Sequence, residues 1–129
     1  MAVHVHSPGF LALVEEARKH VKEIGIPEYD AARARGERAV LIDVREEHEW
    51  EAGRLPGSLH LGKGVIERDI EQHFPDRSSP IVCYCGGGYR SVLACENLQR
   101  MGYRDVRSLA GGYRGWVAAG LPVETDETE

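Results

Sequence analysis

The sequence predicts an α/β fold: an open, mainly parallel sheet of about four or five short strands, with helices on both faces and an extra N-terminal helix. Three observations carry that expectation. The runs "AVLIDVR" and "PIVCYC" are short, apolar and rich in branched residues, as strands buried on both faces are. Segments with helical spacing separate such runs, and strands joined through helices lie parallel. No repeat or linker divides the 129 residues, a length suited to one core.

Taken in order, Ser7-Pro8 reads as a helix start, with Ser7 as N-cap and proline at the first helical position. Phe10, Leu13 or Val14, Ala17, Val21 and Ile24 then recur at helical spacing until Gly25 closes the run. This amphipathic helix defines an N-terminal extension over 1–26, ahead of a main domain over 27–123 and a mobile acidic tail over 124–129. A second short helix runs from near Pro27 to Gly36, and "AVLIDVR" follows as a buried strand. "EEHEWEAG" is a short helix stopped by Gly53, "SLHL" a short strand, and Val65 to Phe74 a helix ended by Pro75. "PIVCYC" is the next buried strand. Beyond the glycines, Val92, Cys95, Leu98 and Met101 make one apolar stripe, which stops at Gly102. "DVRSL" is the last strand, and "GGYRGWVAAG" a turn with a short helix.

Composition narrows the partners. Hydrophobic residues make up 42% and charged residues 29%, an ordinary soluble mixture. A net charge of -5 argues against nucleic acid or an anionic membrane surface, so an anionic substrate needs a site of locally opposite sign. Three cysteines are too few and odd for a disulfide framework, which suits a reducing compartment. The apolar "FLALV" is cut short by Glu15 and Glu16, and no run is as long as a membrane span. The expected location is the cytoplasm.

The stretch "CYCGGGYRS", Cys83 to Ser91, holds the chemistry. Ligands of open α/β sheets bind beyond the carboxyl ends of the strands, where Cys85 sits just ahead of a helix. Gly86, Gly87 and Gly88 can turn successive N–H groups onto one point, with no side chains in the way of an anion. The helix N-terminus adds partial positive charge. Arg90 supplies a cation whose planar fork can grip an oxyanion, and such surroundings favour the nucleophilic thiolate of Cys85. The pattern describes an activated sulfur nucleophile in an anion cradle that needs no separate base.

These residues resemble the rhodanese family, the single-domain sulfurtransferases. "CGGGYR" is similar to that family's six-residue active-site loop, Cys85 through Arg90. "LIDVREEHEWEAGRLPGSLHL" resembles its first signature at Asp43, Val44, Arg45, Glu49, Trp50, Gly53, Pro56 and Gly57, departing at Arg54 and Ser58. "LAGGYRGW" resembles its C-terminal signature at Leu109, Gly111, Gly112 and Trp116. The resemblance implies that Cys85 takes the outer sulfur of a small anionic donor, thiosulfate or a related persulfide. The resulting persulfide would rest on the amides of Gly86, Gly87, Gly88, Tyr89 and Arg90. A thiol, cyanide or a protein acceptor then removes the sulfur, and neither metal nor organic cofactor is required. Arg90 would steady the departing sulfite. A persulfide carrier acting with a partner enzyme is the alternative. Cysteine-based phosphatases and arsenate reductases, whose loops are one residue longer, are more remote.

Asp43, Arg45 and Ser91 are supporting candidates. Asp43 would brace the loop through hydrogen bonds and Arg45 would add positive potential, unless Arg45 simply pairs with Glu49 four residues on. Cys83 and Cys95 are expected in the core, as are Trp50 and Trp116. Tyr89 could gate the site or face the acceptor. His4 and His6 in "HVH" could share a metal, although a terminal pair of this kind is usually unoccupied.

Overall fold

A computed structural model describes residues 6–126. Among the described residues eleven elements alternate: α1 (Pro8–Arg18), β1 (Lys22–Ile24), α2 (Ile26–Ala34), β2 (Val40–Asp43), α3 (Glu47–Ala52), β3 (Leu59–His60), α4 (Ile66–His73), β4 (Ile81–Tyr84), α5 (Arg90–Arg100), β5 (Val106–Leu109) and α6 (Gly112–Ala118). The five strands form one sheet in the order β1-β5-β4-β2-β3, with every pairing parallel. This is the expected open α/β architecture. Among the described residues no helix is long and apolar enough to cross a membrane.

The sheet divides the core in two. Ile81, Cys83 and Cys85 face one side with Ile42 and Val44, beneath Val14 and Ala17 of α1, Ile66 and Ile70 of α4, and Val92, Cys95 and Leu98 of α5. Val82 and Tyr84 face the other with Leu41 and Leu109, against Ile26 and Tyr29 of α2 and Trp116 of α6. Alternate residues of a strand point to opposite faces, so each strand feeds both cores. All four residues of β4 are buried, which is why its sequence is a continuous apolar run.

The first helix differs from expectation. It stops at Arg18, and Lys22–Ile24 pairs instead with the edge of β5, Lys22 against Arg107 and Ile24 against Leu109. The reason lies in the two faces of the sheet. Val21 belongs to the first core and Ile24 packs against the second, a division that one helical stripe could not achieve. A separation of three residues fits both a helical stripe and the opposite faces of a strand, and the open edge of β5 supplies the backbone partners that decide between them.

Of the acidic tail expected over 124–129, the structure describes residues 124–126, which make contacts with the segment after α3. Arg54 and Glu124 exchange backbone hydrogen bonds of 2.9 and 2.8 Å. The Arg54 guanidinium reaches Asp126 at 2.7 Å, and the Glu124 carboxylate accepts from the Gly57 amide at 3.1 Å. Residues 127–129, like His4, lie outside the described residues.

Candidate active site

Where β4 ends, the chain turns through Gly86 to Gly88 and enters α5 at Arg90. The Cys85 sulfur lies in that bend with 1% of the residue exposed. Its Sγ accepts the Gly88 amide at 3.2 Å and the Ser91 amide, in the first turn of α5, at 3.4 Å. The Ser91 hydroxyl is also 3.4 Å from Sγ and shares a 2.8 Å hydrogen bond with Ser108 of β5. Two N–H groups, one of them at a helix N-terminus, thus aim positive charge at the sulfur.

The start of α6 holds the loop from outside. The amides of Tyr113 and Arg114 donate to the carbonyls of Cys85 and Gly86 at 2.8 and 2.9 Å. So close an approach demands glycine. Gly112 has φ +55° and stands where any Cβ would press into the Cys85 carbonyl, while Gly88 has φ +95° and a Cβ there would lie 3.2 Å from the Gly111 nitrogen.

Arg90 does not stand free to grip an anion, as the sequence suggested. Its guanidinium makes a two-pronged ion pair with Glu49 of α3, at 2.8 and 3.1 Å. Glu49 is placed by a capping box, its carboxylate accepting the Glu46 amide at 3.2 Å. Beside the Arg90 guanidinium the Glu49 carboxyl is held well below the usual range, at about 2.

Arg45 does not pair with Glu49 in a surface bridge. It forms a buried ion pair with Asp43 at 2.8 Å, the two residues 4% and 0% exposed, and donates to the Gly53 carbonyl at 2.6 Å. Arg45 therefore brings no uncompensated positive potential to the rim. Nor does Asp43 reach the loop amides directly. It accepts from the Tyr84 hydroxyl at 2.6 Å and from the Arg45 amide at 2.9 Å. The brace runs through Tyr84, the residue before Cys85, whose phenol is pushed above its ordinary range by burial and by the Asp43 carboxylate.

Above Cys85 opens a cavity of about 320 Å³, walled by His6, Phe10 and Tyr89 on one side and by Glu49, Arg90 and Arg114 on another. Tyr89 is half-buried among other side chains. Its centroid lies 4.5 Å from that of His6 and 6.3 Å from that of Phe10, with the Arg18 guanidinium 5.0 Å above the ring. Cys83 is buried in the core, and Cys95 packs beside it from α5. The Cys95 thiol is pushed well up by its hydrogen bond to Cys83 and by burial, so it stays protonated. Sequence reasoning missed Arg114 and the wall built by His6 and Phe10. "GGYRGW" drew attention for its glycines and Trp116, and His6 only as half of a metal pair.

The family model of the rhodanese-like domain matches residues 27–119. The chain belongs to the rhodanese-like domain family. It is 37% identical over 89 residues to the thiosulfate sulfurtransferase GlpE of Actinobacillus succinogenes, covering 69% of this chain and 78% of that protein. To a sulfurtransferase of Allochromatium vinosum it is 34% identical over 107 residues, covering 83% and 98%. Among solved structures, a Rhodopseudomonas palustris protein of unknown function, described as a possible tyrosine phosphatase, superposes with TM-score 0.83 at 29% identity, covering 96% of this chain and all of that one. A thiosulfate sulfurtransferase of Pseudomonas aeruginosa gives 0.78 at 26% identity, covering 91% of this chain and 22% of that one. The matched rhodanese-like span begins after α1 and β1, yet β1 completes the sheet and α1 with its approach supplies Phe10 and His6 to the cavity.

Proposed function

We propose that this protein is a rhodanese-type sulfurtransferase, acting in the reducing cytoplasm, that moves the outer sulfur of thiosulfate or a related persulfide donor onto a thiophilic acceptor. The observation that carries this reading is the Cys85 sulfur, set at the floor of a cavity and receiving the amides of Gly88 and Ser91. As a thiolate, Cys85 attacks the outer sulfur of thiosulfate. A bond forms between Sγ and that sulfur, the donor's S–S bond breaks, and its electron pair leaves with sulfite. No proton moves. The terminal sulfur of the persulfide carries the negative charge, and the amide-lined bend offers it the same kind of support that oxyanion donors give elsewhere. Cyanide, a thiol or a protein thiolate then attacks the terminal sulfur, and the electron pair of the breaking bond returns to Sγ. The names of the relatives in Actinobacillus and Allochromatium support the same chemistry. Cys83 and Cys95 are free and buried, and neither is required in this cycle.

The test is to incubate the protein with thiosulfate and weigh the Cys85 peptide without reductant. A gain of one sulfur atom, absent in Cys85→Ser, is the expected result, and an unchanged peptide overturns the proposal. Fast turnover to cyanide separates the enzyme from a persulfide carrier, which would load and then wait for a protein partner. Hydrolysis of an aryl phosphate would favour the phosphatase reading. The loop, with four residues between Cys85 and Arg90, argues against it.

A further inference from the structure

The cavity presents a problem of charge. A thiolate must be approached by a donor that is itself anionic, in a chain of net charge -5. The arginine of the loop does little to relieve the repulsion, because Glu49 neutralises Arg90 through two hydrogen bonds. Amide dipoles remain, each worth only a fraction of a charge.

Arg114 supplies what is missing. It sits in the first turn of α6, and its own amide is tied to the Gly86 carbonyl at 2.9 Å, which fixes the root of the side chain against the loop. The guanidinium then folds back over the two glycines. A Cβ on Gly86 would lie 2.8 Å from its Nη1, and a Cβ on Gly87 would run into its Nη2. Arg114 and Cys85 line the same cavity. Among the described residues the Arg114 side chain has no hydrogen bond, ion pair or ring contact. Most exposed arginines extend into water. This one lies across a surface cleared for it, a full positive charge on the wall of the cavity that Cys85 also lines.

We propose that Arg114 is the specificity-determining residue that seats the non-transferred, anionic end of the sulfur donor, while Arg90 acts as a strut that holds the loop to α3. For the sulfur donor this rests on the sulfurtransferase reading; the attraction of anions to Cys85 does not. The ligand class is a compact oxyanion bonded to the sulfur that is passed on. In the transfer step the electron pair of the breaking S–S bond moves onto the oxyanion, so charge grows where Arg114 can meet it. Dianionic donors should accordingly gain more from Arg114 than monoanionic ones.

Alkylation tests this without sulfur chemistry. The same thiolate attacks the methylene carbon of iodoacetate or iodoacetamide and displaces iodide, and only the first reagent carries a charge. Cys85 lines the cavity whereas Cys83 and Cys95 pack in the core, and fragmentation of the modified peptide separates Cys85 from Cys83. In Arg114→Gln the iodoacetate rate should fall about tenfold relative to iodoacetamide, as expected for loss of one near-surface charge contact. Arg114→Lys should retain most of the preference, and high salt should erase it in the native protein. With thiosulfate the same Gln variant should lower kcat/KM about tenfold. If Arg114→Gln slows both alkylations equally, the residue is merely structural. If it slows neither, the proposal also fails. A native protein that never takes sulfur from thiosulfate would defeat the sulfurtransferase reading, while the alkylation ratio would still decide the role of Arg114.

Discussion

Replacing Glu49 with glutamine tests how the loop is held. The substitution keeps the shape of the side chain and leaves a carbonyl oxygen to accept the Glu46 amide, but it removes the charge opposite Arg90. The Glu49 carboxyl is lowered from an ordinary 4.5 to about 2, chiefly by its hydrogen bond with Arg90. Taken at face value, a shift of that size corresponds to about 3 kcal/mol of preference for the ionised form. The side chains of Arg90 and Glu49 are 32% and 26% exposed, so solvent screens part of it. About 1–2 kcal/mol is a fair expectation for the loss in Glu49→Gln. That should lower the urea midpoint by about half to one molar, followed by the fluorescence of Trp50 and Trp116.

The pH dependence of that difference is the sharper test. A carboxyl lowered by folding stabilises the native state fully above its unfolded value and loses the effect as pH falls toward the folded value. The gap between the native protein and Glu49→Gln should therefore be constant from pH 8 down to the ordinary carboxylate range near 4.5, and should narrow between there and about 2. Roughly half of it should be gone by pH 3. A gap that stays unchanged to pH 2.5 would refute the argument, as would a variant as stable as the native protein at pH 7. The first result would mean that the carboxylate acts by shape alone, and the second that the ion pair adds nothing net.

Three further outcomes follow from the same geometry. Asp43→Asn leaves Arg45 buried without its counter-charge and should cost about 3–5 kcal/mol, read as a collapse of the thermal or urea midpoint. Gly112→Ala combines a strained φ of +55° with a Cβ driven into the Cys85 carbonyl. It should lose about 1–3 kcal/mol of stability and slow sulfur loading of Cys85, whereas Gly9→Ala, with open space around it, should alter neither. Cys95→Ala should leave loading of Cys85 within about twofold, because a thiol that stays protonated takes no part; peptide mass spectrometry after thiosulfate treatment measures this.

The fold was legible wherever a strand is buried on both faces. β2 and β4 announce themselves by unbroken apolar runs, and the stripe of α5 by Val92, Cys95 and Leu98, which all reach the core. β1 was illegible for a definite reason. Val21 and Ile24 fit a helical stripe as well as they fit opposite faces of a short edge strand, and only the presence of β5 alongside settles the matter. The site divides along the same line. Cysteine, glycines and helix start are neighbours in sequence, and local physics is enough to suggest an anion cradle. Charge pairing is not local. Glu49 lies 41 residues from Arg90, one of 21 acidic residues in the chain, and nothing in the sequence says which of them neutralises the loop.

The glycine run shows how far local reasoning can go. Convergence of amides on the sulfur explains Gly88, which has the positive φ and donates its N–H to Sγ. It does not explain why Gly86 and Gly87 should both lack side chains. The space over them is taken by the Arg114 guanidinium, from an element that follows much later in the chain. In return, Gly112 clears room for the Cys85 carbonyl, and Gly111 lies against Gly88. "CGGGYR" and "GGYRGW" are therefore two halves of one contact, each bare where the other presses in. A side chain added to either half would displace its counterpart, so the cation above the cavity depends on the loop as much as the loop depends on the clamp that α6 provides.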